Sequence, residues 1–128
     1  MRERKRSEEE IINIDEEILD INDLDSKEAI EAHEDKIWGI TEFFSVLSDP
    51  TRVKILLLLI EGEKCVGKLA EELGVDSSLI SHQLKILRHL RLVKKKRKGK
   101  FMRYTLSDDH IIKALNVGLN HAINCMGL

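Results

Sequence analysis

The stretch Gly74-Val-Asp-Ser-Ser-Leu-Ile-Ser-His-Gln-Leu-Lys-Ile-Leu-Arg-His-Leu-Arg-Leu-Val-Lys-Lys-Lys-Arg-Lys-Gly-Lys-Phe-Met-Arg-Tyr104 decides how this chain folds. Behind Asp76, a residue of capping type, Leu79, Ile80, Leu84, Ile86, Leu87 and Leu90 recur at helical spacing. A helix is predicted there, with Ser77, Ser78, Ser81, His82, Gln83, Lys85 and Arg88 on an exposed, hydrogen-bonding face. From Lys85 to Arg103 there are ten basic residues and no acidic one. The expected partner therefore carries closely spaced negative charge, and nucleic acid fits best.

Upstream, Cys65 to Leu73 reads as a short helix with Val66, Leu69, Ala70 and Leu73 inward, closed at Gly74, where a left-handed conformation is cheap only for glycine. A short helix, a tight turn and a longer helix make a helix-turn-helix, whose second helix enters the major groove by its N-terminal half. Ser77, Ser78, Ser81, His82 and Gln83 are thus expected at bases or flanking phosphates of double-stranded DNA. Downstream the pattern turns to β. Leu92 to Arg97 and Lys100 to Leu106 flank Lys98-Gly99, which predicts a hairpin wing. Its Lys94, Lys95, Lys96, Arg97, Lys98, Lys100 and Arg103 would supply mainly nonspecific attraction; the competing reading is an edge strand kept positive against aggregation.

Further upstream, Asp49 can cap and Pro50 suits a first helical position, so Val53 to Ile60 is an apolar helix expected to be buried nearly all round. Ser26 to about Leu47 reads as one helix, in which Trp38, Phe43 and Phe44 are expected as core or dimer contacts. Residues 1–25 form an acidic arm with Ile11, Ile12, Ile14, Ile18, Leu19, Ile21 and Leu24 interspersed, leaving 26–128 as the DNA-binding and dimerisation domain. His33 is expected to face solvent, and His89 to pack or meet phosphate.

The net charge of -2 hides an asymmetry: residues 1–36 carry 14 acidic against 6 basic side chains, and the remainder 9 against 15. The acidic part is not the nucleic-acid-binding part. A chain of 128 residues, 42% hydrophobic and 34% charged, holds a core without staples. No apolar run approaches the roughly 20 residues of a membrane span, and no apolar segment follows the charged start, so a cytoplasmic protein without membrane contact is expected. Cys65 and Cys125 form no paired motif, which suits a reducing compartment. No paired nucleophile and base and no glycine-rich phosphate loop is present, so neither an enzyme nor a small-molecule substrate is expected.

At the C-terminal end Ser107 or Asp108 caps a helix to about Cys125, with Ile111, Ile112, Leu115, Leu119 and Ile123 apolar. Asp108, His110, His121 and Cys125 are its potential metal ligands. His110 and His121 lie roughly 16 Å apart on nearly the same face of one helix, too far to share an ion within a chain. In a two-fold dimer, antiparallel packing of this helix on its mate would bring Asp108 and His110 beside His121 of the other subunit, giving two equivalent sites. Cys125 or water would be the fourth ligand, because Cys125 shares the His121 face.

Leu47-Ser48-Asp49-Pro50-Thr51-Arg52, then Cys65-Val66-Gly67, Ser81-His82-Gln83-Leu84, the basic wing, and Asp108-x-His110 with His121 together resemble the ArsR/SmtB family of metal-responsive repressors over residues 38–125. The resemblance implies a mainly α winged helix-turn-helix with a two-stranded antiparallel wing, dimerising through its first and last helices. It implies a homodimer released from operator DNA by zinc or a similar divalent metal. The family's final-helix site pairs Asp-x-His with His-x-x-Glu of the other subunit, and here Asn124 stands at the Glu position. The family's other site uses a cysteine at the position of Cys65 together with cysteines of the N-terminal arm. This arm has none, so that site is expected to be lost. The second reading is a metal-independent winged-helix regulator.

Overall fold

A computed structural model describes residues 19–128. They belong to two units, one ending at Trp38 and one running Gly39–Leu128. In the first, Asp20 caps a 3-10 turn, Ile21–Leu24, by accepting from the Asn22 N–H at 2.8 Å, while Asp23 accepts from the Asp20 N–H at 2.8 Å. Helix α1, Lys27–Ala32, opens on Ser26, whose hydroxyl accepts from the Ala29 N–H at 3.1 Å, as its sequence position led us to expect. The expected helix over 26–47 is in fact two. His33 leaves helical geometry (φ -120, ψ 37), its Nδ1 donates to the Ala29 carbonyl at 2.9 Å, and α2, Glu34–Val46, begins after it. That bond leaves His33 half-buried rather than facing solvent. Of the apolar residues interspersed in the acidic arm, those up to Ile18 lie outside the described residues; Leu19 and Ile21 are exposed.

In the second unit Asp49 caps α3, Pro50–Ile60, accepting from the Arg52 N–H at 3.1 Å with Pro50 in the first turn, where its missing N–H costs nothing. Ile55, Leu56 and Leu59 are buried at 0–2% exposure. Leu57 and Ile60 are 49% and 43% exposed, so this helix is buried on one side only, not nearly all round. Gly62, at φ 151, leads into α4, Val66–Leu73, with Cys65 half-buried at its N-cap. The turn Gly74-Val75-Asp76 connects it to α5, Ser77–His89.

After α5 come β1, Val93–Lys98, and β2, Phe101–Leu106, paired antiparallel from Val93↔Leu106 to Lys98↔Phe101. The two-residue turn is Gly99-Lys100, one step beyond the expected Lys98-Gly99. Gly99 sits at φ 65, the positive value that the tight primed turns of hairpins require. Lys64 adds an unforeseen isolated bridge to β2: its N–H donates to the Tyr104 carbonyl at 3.1 Å and its carbonyl accepts from the Tyr104 N–H at 2.8 Å. Helix α6, His110–Cys125, closes the chain.

The core gathers Val46 of α2, the inner faces of α3, α4 and α5, Leu92, Val93 and Tyr104 of the wing's base, and Ile111 of α6. Burying a side chain such as Ile55, Leu56, Leu84 or Leu87 contributes about 1.5–3 kcal/mol each. Among the described residues no helix is long and apolar enough to cross a membrane.

Candidate nucleic-acid interface

Helix α5 separates its faces by period. Ile80, Leu84 and Leu87 are 0–1% exposed, while Ser77, Ser78, Ser81, His82, Lys85 and Arg88 face solvent. Asp76 occupies the N-cap without a side-chain bond to the helix; its carboxylate instead lies 3.5 Å from the Ser78 hydroxyl. Gln83 requires a correction. It is buried at 8% exposure, not on the outward face with its neighbours. Its position three after Ile80 and four before Leu87 places it in the inward stripe, and the amide is accommodated because Oε1 accepts from Arg52 Nη1 at 3.0 Å. Arg52 also donates through Nε to the Val46 carbonyl at 2.8 Å and through Nη2 to the Ser45 carbonyl at 3.5 Å. One guanidinium thus ties the α2–α3 corner to the middle of the recognition helix. Reading the sequence missed Arg52, whose partner lies 31 positions away.

The wing also divides by period. Lys94, Lys96 and Lys98 alternate with Val93, Lys95 and Arg97, and the register puts Arg103 opposite Lys96. Glu63, from the loop before α4, reaches the Lys96 face: its carboxylate lies 2.9 Å from Lys98 Nζ and 3.9 Å from Lys96 Nζ. The hydrogen bond from Lys98, outweighing partial burial, holds the Glu63 carboxyl below the usual carboxylate range, and the charges of Lys98, Lys96 and Arg103 add to this. Arg103 is half-buried, and its Nε has no hydrogen-bond partner among the described residues. The ribbon's charge is therefore not uniformly free. Arg97 donates to the Gly99 carbonyl at 3.4 Å, and Lys94, Lys95, Arg97 and Lys100 are exposed with no ion pair among the described residues.

Both helices of the pair end in the same hydrogen-bonded closure. At α4 the Val75 N–H donates to Ala70 (3.1 Å) and the Gly74 N–H to Glu71 (3.3 Å); at α5 the Leu92 N–H donates to Leu87 (3.0 Å) and the Arg91 N–H to Arg88 (2.9 Å). The pivot is left-handed in each, Gly74 at φ 65 and Arg91 at φ 61. For a side-chain-bearing residue that conformation costs about 1–2 kcal/mol.

At the start of α6, Asp108 Oδ1 accepts from the His110 N–H at 2.9 Å and lies 3.3 Å from its Nδ1. The Asp-x-His pair is therefore assembled at one place, with His110 exposed, while His121 and Cys125 stand exposed further along the same helix. The described residues of one chain contain no group of three or more His, Cys, Asp or Glu able to hold an ion. As donors, a carboxylate, two imidazoles and a thiol suit zinc, but one chain presents them in two separate places. The apolar stripe of α6 is split likewise: Ile111, Ile112 and Leu115 pack on the chain's own core, whereas Val117, Leu119 and Ile123 are 72%, 58% and 49% exposed. On α2, Phe43 packs on that core, Phe44 is 59% exposed, and Trp38 is 66% exposed rather than part of the core.

Residues 49–95 match the family described as bacterial regulatory protein, arsR family. The chain is 40% identical to the transcriptional repressor SmtB homolog of Synechocystis, over 68% of this chain and 66% of that one. It is 32% identical to the cadmium resistance transcriptional regulatory protein CadC homolog of Staphylococcus aureus, over 70% of this chain and 84% of that one. Among solved structures, Rv0081 of Mycobacterium tuberculosis superposes with a TM-score of 0.64 at 34% identity, covering 68% of this chain and 88% of that one. With the helix-turn-helix and its two-stranded wing beside these likenesses, the chain belongs to the ArsR family of bacterial transcriptional regulators and not to any class of enzyme.

Proposed function

We propose that the chain is a homodimeric repressor, acting in the cytoplasm, that holds operator DNA through α5 and the wing. In this reading zinc or a similar divalent metal, bound between the final helices, releases it. The observation that carries the reading is the exposed face Ser77, Ser78, Ser81, His82, Lys85 and Arg88, set beside a ribbon whose Lys94, Lys95, Arg97 and Lys100 have no acidic neighbour in an ion pair among the described residues. Hydroxyls and imidazole at the helix start suit base edges and phosphates, and the wing cations suit the backbone. Dimerisation is supported by Val117, Leu119 and Ile123 on α6 and by Ile40 and Phe44 on α2, large apolar side chains that one chain leaves open to water.

The metal reading rests on the Asp108–His110 pair and its separation from His121 and Cys125. Asp108 and His110 of one subunit, with His121 and then Cys125 or water from the other, are the residues that would hold the ion. When bound, the metal supplies a bond between subunits that fixes their relative orientation. Asp108 lies beside His110 at the start of α6, and a ring N–H of His121 would carry the constraint onward by a hydrogen bond. The alternative, a repressor indifferent to metal, is favoured by Asn124, an amide and thus a poor zinc ligand.

The test is operator affinity measured by fluorescence anisotropy on duplexes selected from a random pool, in chelator and in zinc. Zinc should weaken binding by about 5- to 150-fold. His121→Ala should abolish that response while leaving chelator-state affinity intact. Unchanged affinity in zinc would transfer the assignment to the metal-independent repressor.

A further inference from the structure

An open concavity of about 550 Å³ lies where α5, the base of the wing and the approach to α6 meet. It is lined by Arg88, Arg91, Lys94 and Lys95, by Val93 and Ser107, and by a single carboxylate, Asp108. That carboxylate is already engaged, since Oδ1 accepts from the His110 backbone and faces its ring. None of the four cations makes an ion pair or side-chain hydrogen bond among the described residues, although Asp108 shares their concavity. Four cations without a partner among the described residues thus border one hollow.

The second observation is backbone strain. The same closure that ends α4 on Gly74 ends α5 on Arg91, at nearly the same positive φ. Glycine adopts that conformation freely, and an arginine does not. The hydrogen bonds that close α5 hold the Arg91 backbone in this conformation, and its side chain is left exposed. What the side chain contributes is a guanidinium at the rim of a cationic hollow, and guanidinium groups match phosphate oxygens two at a time.

We propose that this hollow is a phosphate-binding site in which Arg91 is the principal anchor, with Arg88, Lys94, Lys95 and the Ser107 hydroxyl around it. The phosphate comes either from the backbone of bound DNA, a version that rests on the repressor reading above, or from a small free phosphorylated ligand.

Arg91→Gly separates charge from strain, because it removes the guanidinium and suits the left-handed backbone; Arg91→Lys keeps the cation. At fixed protein concentration, Arg91→Gly should melt no lower than the native chain, which shows that the fold is kept. If the phosphate is that of DNA, Arg91→Gly should weaken binding to every duplex by about threefold to tenfold and lower the slope of log K against log salt by about 1, with Arg91→Lys close to native. If it is a free anion, calorimetric titration with inorganic phosphate should show binding by the native chain that Arg91→Gly loses, with DNA affinity unmoved. An Arg91→Gly protein that keeps its fold, its DNA affinity and slope, and whatever phosphate binding the native chain has would overturn the proposal. A native chain that binds no duplex would overturn the repressor reading, and the phosphate titration would still decide this site.

Discussion

Helices α5 and α6 are both amphipathic, yet one is completed by its own chain and the other is not. Every residue of the inward stripe of α5, Ile80, Gln83, Leu84 and Leu87, is buried, and even the amide among them has its partner in Arg52. Along α6 the stripe begins the same way, with Ile111 fully buried, and then runs into solvent at Val117, Leu119 and Ile123. Its candidate metal ligands divide in the same place, Asp108 and His110 at one end, His121 and Cys125 at the other. Burial within one chain thus marks the folding unit, and the apolar stripe left open on α6 is the feature on which the proposed dimer rests.

The contrast breaks most severely in the core beneath α5. Leu84→Ala should cost about 2–5 kcal/mol, read by denaturant melting, because the site is 1% exposed and a cavity would remain. Next comes α6. Leu119→Glu and Ile123→Glu should leave the circular dichroism of the folded chain in place but shift sedimentation from dimer to monomer, and operator affinity should fall with it, since two half-sites need two recognition helices. Leu115 is a poorer probe than these, because it packs on the chain's own core and its replacement would confuse folding with assembly. A Leu119→Glu, Ile123→Glu double variant that still sediments as a dimer would show that the stripe on α6 serves something other than self-association.

Gln83→Ala sharpens the comparison at smaller scale. Losing a buried acceptor for Arg52 should cost about 1.5–3 kcal/mol of stability. DNA binding should then weaken equally on selected and scrambled duplexes; loss confined to the selected duplex would mean that the amide reads a base after all. The smallest effect is expected at Glu63. Glu63→Gln should free Lys96 and Lys98 for phosphates and steepen the salt dependence of DNA binding. The pH dependence has a definite sign. A carboxyl held below its ordinary value of 4.5 ties the wing fully above that pH and loosens it only as pH falls through the depressed value. The Glu63→Gln variant should therefore lose any acid-dependent change in wing protection from hydrogen exchange, whereas an unchanged acid profile would assign that change to another group.

Much of this was legible because local signals agreed with the tertiary outcome. Asp49-Pro50 began a helix, Ser26 capped one, Gly74 closed one, and the lysine-rich run with Gly99 became a hairpin. What escaped were pairings between residues distant in sequence. Gln83 looked outward because an amide is usually solvated; its place in the i, i+3, i+4, i+7 stripe pointed inward, but only Arg52 makes that tenable. Glu63 stood in an acidic loop with no local sign that the wing would fold onto it, and the Lys64–Tyr104 bridge joins residues 40 positions apart. The candidate metal ligands were legible as a residue pattern, and their spacing along one helix already pointed to a second chain.

In the proposed function, two of these chains read one DNA site through α5 and the wing. Sedimentation velocity of the native chain mixed with a selected duplex, and separately with a scrambled one, tests it most directly. Two chains per selected duplex are expected, in a complex whose affinity falls as salt rises, with the scrambled duplex bound more weakly at every salt concentration. A complex of one chain per duplex, or equal binding of the two duplexes, would contradict that function.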